Sequence, residues 1–189
     1  MYVDLATFKA YLGITTTTDD ALLVGFLNRA QGVIEARTGR VFECANDSIL
    51  TFDAVRDVSD RTLLLGTDLC QITEIVNGDG AVVSASAYLT DPPRGTPFWG
   101  IRLKRSSDPW AYQGDPEGAI SVEGRWAYSV LPPEDIVQAT LRLAAFLYRQ
   151  KDNAVDGDRP IMTGDGNVLL PSRLPNDVAE MLRPYMRKM

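Results

Sequence analysis

The chain has 189 residues, of which 45% are hydrophobic and 23% charged, as in a globular protein of one large or two small domains. The net charge of -6 argues against a protein that grips nucleic acid through phosphates, and the absence of histidine excludes Ser-His and Cys-His nucleophile systems. No apolar run approaches the roughly 20 residues that span a bilayer, and the N-terminus lacks a signal-like stretch, so we expect a protein of a cytosol-like compartment.

Two helices are predicted at the N-terminus. "DLATFKAYLG" has Asp4 as a candidate N-cap and Gly13 just past the helix end. "TTTTDDALLVGFLNRAQGVIEARTGR" predicts a second helix that begins with a Thr-Asp capping box within residues 16–20 and ends at Gly39.

Two glycines lie inside this second helix. Gly25 and Gly32 each cost about 0.5 to 1 kcal/mol relative to alanine. Close approach of another backbone would offset that cost. The backbone belongs either to the same chain, which we favour slightly, or to a second copy.

Residues 41–130 predict a β-rich insertion of short strands separated by Gly, Pro, Asp and Asn. "TLLLG", "CQITEIV", "GIRLKR" and "AISVEGRWAYS" have strand patterns, and the turn at residues 76–81 predicts a hairpin that returns along "VVSASAYL". Trp99, Trp110 and Tyr112 stand near turn residues. We favour their folding back over the local core, with contact to a partner as the alternative.

"PPEDIVQATLRLAAFLYRQKDN" predicts a long helix that begins after Pro132 and Pro133. Its polar residues Gln138, Arg142 and Arg149 form one narrow strip, and we expect the two arginines to pair with acidic side chains. Apolar residues cover most of the remaining circumference, more than the roughly 100° stripe of a surface helix. We therefore expect burial first by its own domain and then by an adjacent copy.

The chain closes with an extended Gly, Asp and Pro-rich connection and a short helix, "NDVAEMLRPYMRKM". Asn176 is the candidate N-cap, and Pro184 interrupts or ends the helix before a basic tip. We expect the connection and this last helix to reach a neighbour or partner.

The sequence offers little catalytic chemistry. Cys44 and Cys70 match no redox or zinc spacing and are best explained as small apolar side chains. The acidic loop from Asp152 to Asp165 fails the EF-hand pattern, since Ala154 and Thr163 occupy ligand positions. We therefore predict no enzyme activity, no cofactor and no metal.

Four segments of the sequence, taken in chain order, resemble a known protein family. "FKAYLGI", "DDALLVGFLNRAQGVIEARTGRVFE", "PPEDIVQATLRLAAFLYRQKDN" and "LPNDVAEMLRPYMR", in this order, resemble the tailed-bacteriophage head-tail connector family of adaptor or head-completion proteins. The resemblance implies a homo-oligomeric ring, usually of twelve copies, bound to the portal protein and to a tail-side neck or stopper protein. Double-stranded DNA would pass through its lumen without sequence-specific binding. The protein would assemble in the host cytoplasm, reside in the virion neck and contact no membrane.

The predicted fold is α+β, with a discontinuous helical domain (residues 1–40 and 131–189) and an inserted antiparallel β subdomain (residues 41–130). Predicted subunit contacts are Gly25, Gly32, Val137, Leu141, Ala144 and Tyr148. Predicted contacts with the portal or a neighbour are Leu182, Arg183, Tyr185, Arg187 and Lys188. The main alternative is a binding module whose β-insertion captures a ligand or protein through Trp99 and Trp110, and the least favoured is an enzyme that uses Asp and Glu with a divalent metal.

Overall fold

The computed structural model of the chain describes residues 1–150, 161–162, 168–169 and 174–187. It divides into two compact units, a helical unit (Met1–Arg40 with Pro133–Met189) and a β unit (Val41–Pro132). The predicted α+β class, a helical core with an inserted antiparallel β subdomain, is confirmed. Within the described ranges, no helix is both long and apolar enough to cross a bilayer.

The first helix of the helical unit, α1, spans Leu5–Leu12. The Asp4 carboxylate accepts a hydrogen bond from the backbone N–H of Thr7 at 2.7 Å, and this bond holds the pKa of Asp4 below its usual range. Gly13 ends the helix with φ of 73°, in the left-handed region that favours glycine. Both predicted ends of this helix are confirmed.

The second helix, α2, spans Asp20–Thr38 and ends at Gly39 (φ 68°), as predicted. Its predicted capping box is wrong, because the helix begins at Asp20 and Asp19 makes no side-chain cap hydrogen bond. Asp20 instead forms an ion pair with Lys9 of α1, with Nζ and Oδ1 separated by 2.6 Å. The carboxylate therefore joins two helices instead of capping one.

The third helix, α3, spans Glu134–Gln150 and begins directly after Pro133, as predicted. The fourth, α4, spans Asn176–Leu182 and continues as a 3-10 turn over Arg183–Tyr185, so the predicted interruption at Pro184 is confirmed. Asn176 is not an N-cap. It is the first helical residue, and no side chain caps this end.

Within the helical unit, α3 is the central element. It packs against α1, α2 and α4. Seven of its side chains are buried: Ile136, Ala139, Thr140, Leu141, Leu143, Ala144 and Ala145. Near its end, the Tyr148 ring packs edge-to-face on Phe26 of α2, with centroids 6.0 Å apart. The broad apolar surface of α3 is thus largely covered by three helices of its own chain, as expected for the first part of its burial, and further cover by an adjacent copy stays a prediction.

Seven strands form the β unit: β1 Ser48–Phe52, β2 Val58–Ser59, β3 Thr62–Leu69, β4 Gln71–Val76, β5 Tyr88–Asp91, β6 Phe98–Leu103 and β7 Ile120–Arg125. They make two antiparallel sheets, with strand orders β1-β7-β4 and β2-β3-β6-β5. Alternating buried side chains from both sheets meet in one core, which includes Phe52, Leu63, Leu69, Ile75, Ile101 and Val122.

The predicted return strand after the hairpin turn is wrong. Residues 77–81 do turn, with the Asn77 N–H donating to the Ala81 carbonyl at 2.8 Å, but the return to β4 is limited to the Val76–Val82 bridge and a hydrogen bond from the Val83 N–H to the Ile75 carbonyl at 2.9 Å. The turn is diverted because the Asn77 side chain donates to the Pro109 carbonyl at 3.2 Å and Gly78 bridges to Tyr112. β5 then pairs with β6 in the other sheet.

The two ends of the β unit lie side by side. The Tyr128 N–H donates to the Val41 carbonyl at 2.8 Å, and the Phe42 and Tyr128 rings have centroids 5.5 Å apart. Elsewhere, two short strands, β8 (Ile161–Met162) and β9 (Val168–Leu169), pair antiparallel with each other.

Candidate interaction surfaces

The described residues hold no cluster of three or more metal-ligating side chains. Cys44 and Cys70 are free thiols, and burial raises the pKa of the Cys70 thiol. Cys70 therefore fits the predicted role of a small apolar side chain, whereas Cys44 is half-buried and its thiol donates to the Asn46 carbonyl at 3.0 Å.

The outward face of α2 carries both helical glycines. Gly25 and Gly32 are exposed, and a Cβ added at either would meet no atom of the described residues within 4 Å. The favoured explanation, close approach by the same chain, is therefore wrong for the part of the protein that is described. Two large apolar side chains flank this face, Leu22 at 43% exposed and Val33 at 39%.

The predicted contact face on α3 lies mostly inside its own unit. Leu141 and Ala144 are buried there, so they are wrong as contacts with another copy. Val137 and Tyr148 are half-buried, and their role between copies stays a prediction. The reason is the central position of α3, which turns toward α2 the face that was predicted to meet a second copy.

The last helix is docked on the end of α2. Leu182 is fully buried, so it is wrong as a portal contact. The carbonyl of Tyr185 accepts a hydrogen bond from Arg40 Nε at 2.9 Å, and the backbone N–H of Arg187 donates to the Thr38 carbonyl at 3.0 Å.

Two charged side chains remain at this C-terminal tip. Arg183 is highly exposed and lies 3.6 Å from Glu180, a surface pair worth little. Arg187 is exposed, and Lys188 lies outside the described residues. The basic tip is therefore anchored by its backbone and presents its arginine side chains outward.

A groove of about 280 Å³ runs between α1, α3 and α4 and is lined in part by Tyr11, Phe146 and Arg149. Arg142 at its rim forms an ion pair with Asp177, as predicted for this arginine. That hydrogen bond is the main cause that holds the pKa of Asp177 below its usual range. The groove thus already contains a partner for one of its two cations.

The loop aromatics of the β unit behave differently from one another. Trp110 folds back, and its indole N–H donates to the Arg61 carbonyl at 2.9 Å, which is the favoured reading. Trp99 remains 55% exposed, and Tyr112 is also exposed. Of the two tryptophans proposed to capture a ligand, only Trp99 is free to do so sterically.

Sequence reasoning missed the edge strand β1. It pairs with β7 on one side, and its other side has no strand partner among the described residues. Ile49 is 60% exposed and Leu50 37%. The sequence signal for this strand is the uncharged run "SILTF". This run is typical of a buried strand, and the sequence does not show that the strand lies at the edge of its sheet.

Fold and surfaces together define an α+β protein with a helical core, an inserted β unit and interaction surfaces as its candidate sites. A sequence model of the family described as phage gp6-like head-tail connector protein matches residues 2–63. This match confirms the resemblance over that range. No curated protein matches the chain significantly.

Similar folds occur in solved structures of gene transfer agent (GTA) particles. A chain from the "Neck of native GTA particle computed with C12 symmetry" superposes with a TM-score of 0.61 at 17% identity, covering 100% of this chain and 90% of that one. A chain from the "Neck of empty GTA particle computed with C6 symmetry" gives 0.58 at 19%, with 100% and 91% covered. The "Virion of native gene transfer agent (GTA) particle" contains a chain that superposes with a TM-score of 0.61 at 19% identity, covering 100% of this chain and 91% of that one. At these identities the likeness concerns the fold.

Proposed function

We propose that the chain is a non-enzymatic structural protein of a virion neck. In this role, copies form a ring beneath the portal protein, connect the capsid to the tail and continue the DNA channel. The observation that carries the proposal is the whole-chain fold likeness to chains of GTA neck structures, together with the connector-family match at the N-terminus. A tail-side neck or stopper protein would bind the opposite end of the ring.

The outward face of α2 is the proposed contact between neighbouring copies. Gly25 and Gly32 leave backbone open to close approach, and their helical cost is not offset within the described chain. Exposed Leu22 and Val33 beside them would be buried by a neighbour, at about 25 cal/mol for each Å² of apolar surface removed from water. A contact repeated head-to-tail about an axis closes into a ring.

The charge distribution suits a conduit that does not hold DNA. Residues 41–132 contain 13 acidic and 7 basic side chains, a difference of -6 that equals the charge of the whole chain. The helical unit has 12 of each and is neutral. DNA phosphates passing near the β unit would be repelled, because binding to them requires clustered cations. We also propose that the β unit acts as a separate inserted domain.

Light scattering on the full-length chain, alone and with the portal protein of the same particle, tests the proposal. We expect a ring of defined copy number in at least one condition, and electron microscopy of the neck should place it directly below the portal. A chain that remains monomeric in both conditions and is absent from the neck would refute the proposal.

A second candidate is a binding module that captures a ligand through the β unit. Exposed Trp99 favours it, whereas Trp110 is held by Arg61 and does not. Trp99→Ala separates the two functions. Ring formation and portal binding should survive this change if the chain is a neck protein, and partner capture should be lost if it is a binding module.

A further inference from the structure

The free edge of β1 has none of the usual protection against strand addition. Natural edge strands carry lysine, proline, a bulge or a covering segment. The strand "SILTF" contains no charged residue and no proline, and it pairs with β7 in continuous register from Ser48 to Phe52. Four of its five side chains are exposed. An edge of this kind accepts an extended segment through main-chain hydrogen bonds.

A segment of matching chemistry lies elsewhere in the chain. β8 and β9 have two residues each and, among the described residues, pair only with each other. An isolated two-stranded ribbon is marginal in water, and a third strand is needed for stability. The surrounding sequence, "PIMT" and "NVLLP", holds the strand-forming apolar residues of the connection from 151 to 173 apart from Val155.

The connection is long enough to leave its own subunit. Ten residues, 151–160, separate the end of α3 from β8. An extended chain spans at most about 3.3 to 3.6 Å per residue, so this stretch reaches roughly 35 Å, which exceeds the diameter of about 30 Å of a small domain.

We propose that β1 of one copy binds the β8–β9 ribbon of a second copy as an additional strand of its sheet. This inference rests on the proposed ring, because it names a second contact between copies, separate from the α2 face. The ribbon then gains the third strand that it lacks, and the β1 edge is covered.

Disulfide trapping between two full-length variants tests the contact. Both carry Cys44→Ser and Cys70→Ala; one also has Ile49→Cys, the other has Met162→Cys and a tag that changes its mass. After mixing, assembly and mild oxidation, we expect a disulfide-linked pair of one tagged and one untagged chain, which its mass identifies. Val55→Cys replaces Ile49→Cys in the control, since Val55 is 57% exposed but lies outside β1.

Three results would overturn the inference. Assemblies that form while trapping stays at the level of the Val55 control leave the ring intact and refute only the strand addition. A chain with both Ile49→Cys and Met162→Cys that closes a disulfide within itself refutes contact between copies. Persistent monomer with and without the portal refutes the ring and the strand addition together.

Edge charges give an independent measurement. Ile49→Lys with Thr51→Lys places two cations on exposed positions of β1, so the thermal unfolding of the monomer should not change. Association between copies should weaken about tenfold, corresponding to roughly 1.4 kcal/mol. Unchanged association would contradict the proposal, and Val55→Lys serves as the matched control.

Discussion

Enlarging the glycines of α2 should stabilise the monomer and weaken the assembly. In Gly25→Ala with Gly32→Ala, each Cβ enters open space on a helix whose backbone needs no special φ. Each change should raise the free energy of unfolding of the monomer by about 0.5 to 1 kcal/mol, so the pair adds about 1 to 2 kcal/mol. For a chain of this size, each kcal/mol raises Tm by about 2 to 4 °C.

Association should change in the opposite direction. If a neighbouring backbone packs against the two glycines, two new methyl groups overpack the contact at a cost of about 1 to 3 kcal/mol, or roughly 5- to 150-fold in affinity. Urea unfolding of dilute monomer measures the first effect, and light scattering over a concentration series measures the second.

A size series sharpens the test. Gly32→Leu keeps a strong helix former at the position while it enlarges the obstruction, so association should fall further at similar monomer stability. Gln138→Leu is the control, since Gln138 is exposed on α3 and does not belong to the α2 face. If the glycine variants assemble as tightly as the unchanged chain, the α2 face is not the subunit contact.

Three further predictions concern the folded chain itself. Leu143→Ala removes a buried side chain of α3 and should cost about 2 to 5 kcal/mol in urea unfolding, even in dilute monomer; a smaller loss there than in the assembly would mean that a neighbour supplies its packing. Gly78→Ala would place a Cβ in collision with the Ala111 carbonyl oxygen and should destabilise the β unit by about 1 to 3 kcal/mol, whereas an alanine at Gly25 should raise the free energy of unfolding by about 0.5 to 1 kcal/mol. Because the folded-state pKa of Asp177 lies below 3.8, its pairing contributes stability above that pH and loses it as the pH falls further. Asp177→Asn should therefore flatten the acid limb of the stability profile, and an unchanged limb would contradict this role.

The local elements of the helical unit were predictable because their ends carry strong signals. Gly13 and Gly39 both adopt the left-handed conformation that their positions indicate, and the prolines before α3 mark its start. Caps chosen by side-chain type alone were less reliable. Asp20 was drawn into an ion pair with Lys9, a tertiary contact that no local pattern reveals.

The error about α3 has a geometric cause. The width of a helix's apolar surface indicates how much of the helix must be buried. It does not indicate whether the same chain or a second copy buries it. A helix with three neighbours in its own unit needs a wide surface without any second copy, and the Phe26–Tyr148 packing lies on the face that was assigned to an interface. The wrong prediction of a return strand has a similar cause. The turn at residues 77–81 is present, but the Asn77 side chain donates to the Pro109 carbonyl, a contact distant in sequence that no local pattern reveals.

The adjacency of the β unit's two ends has a consequence for chain architecture. Where the Val41 and Tyr128 backbones are hydrogen bonded, the path that leaves the helices comes back to almost the same place. A short glycine-containing linker could therefore replace roughly ninety residues at little entropic cost, because loop closure depends only weakly on length. The shortened protein would have no net charge, because the whole net negative charge lies in the removed residues. The β unit itself could be inserted into a loop of an unrelated protein.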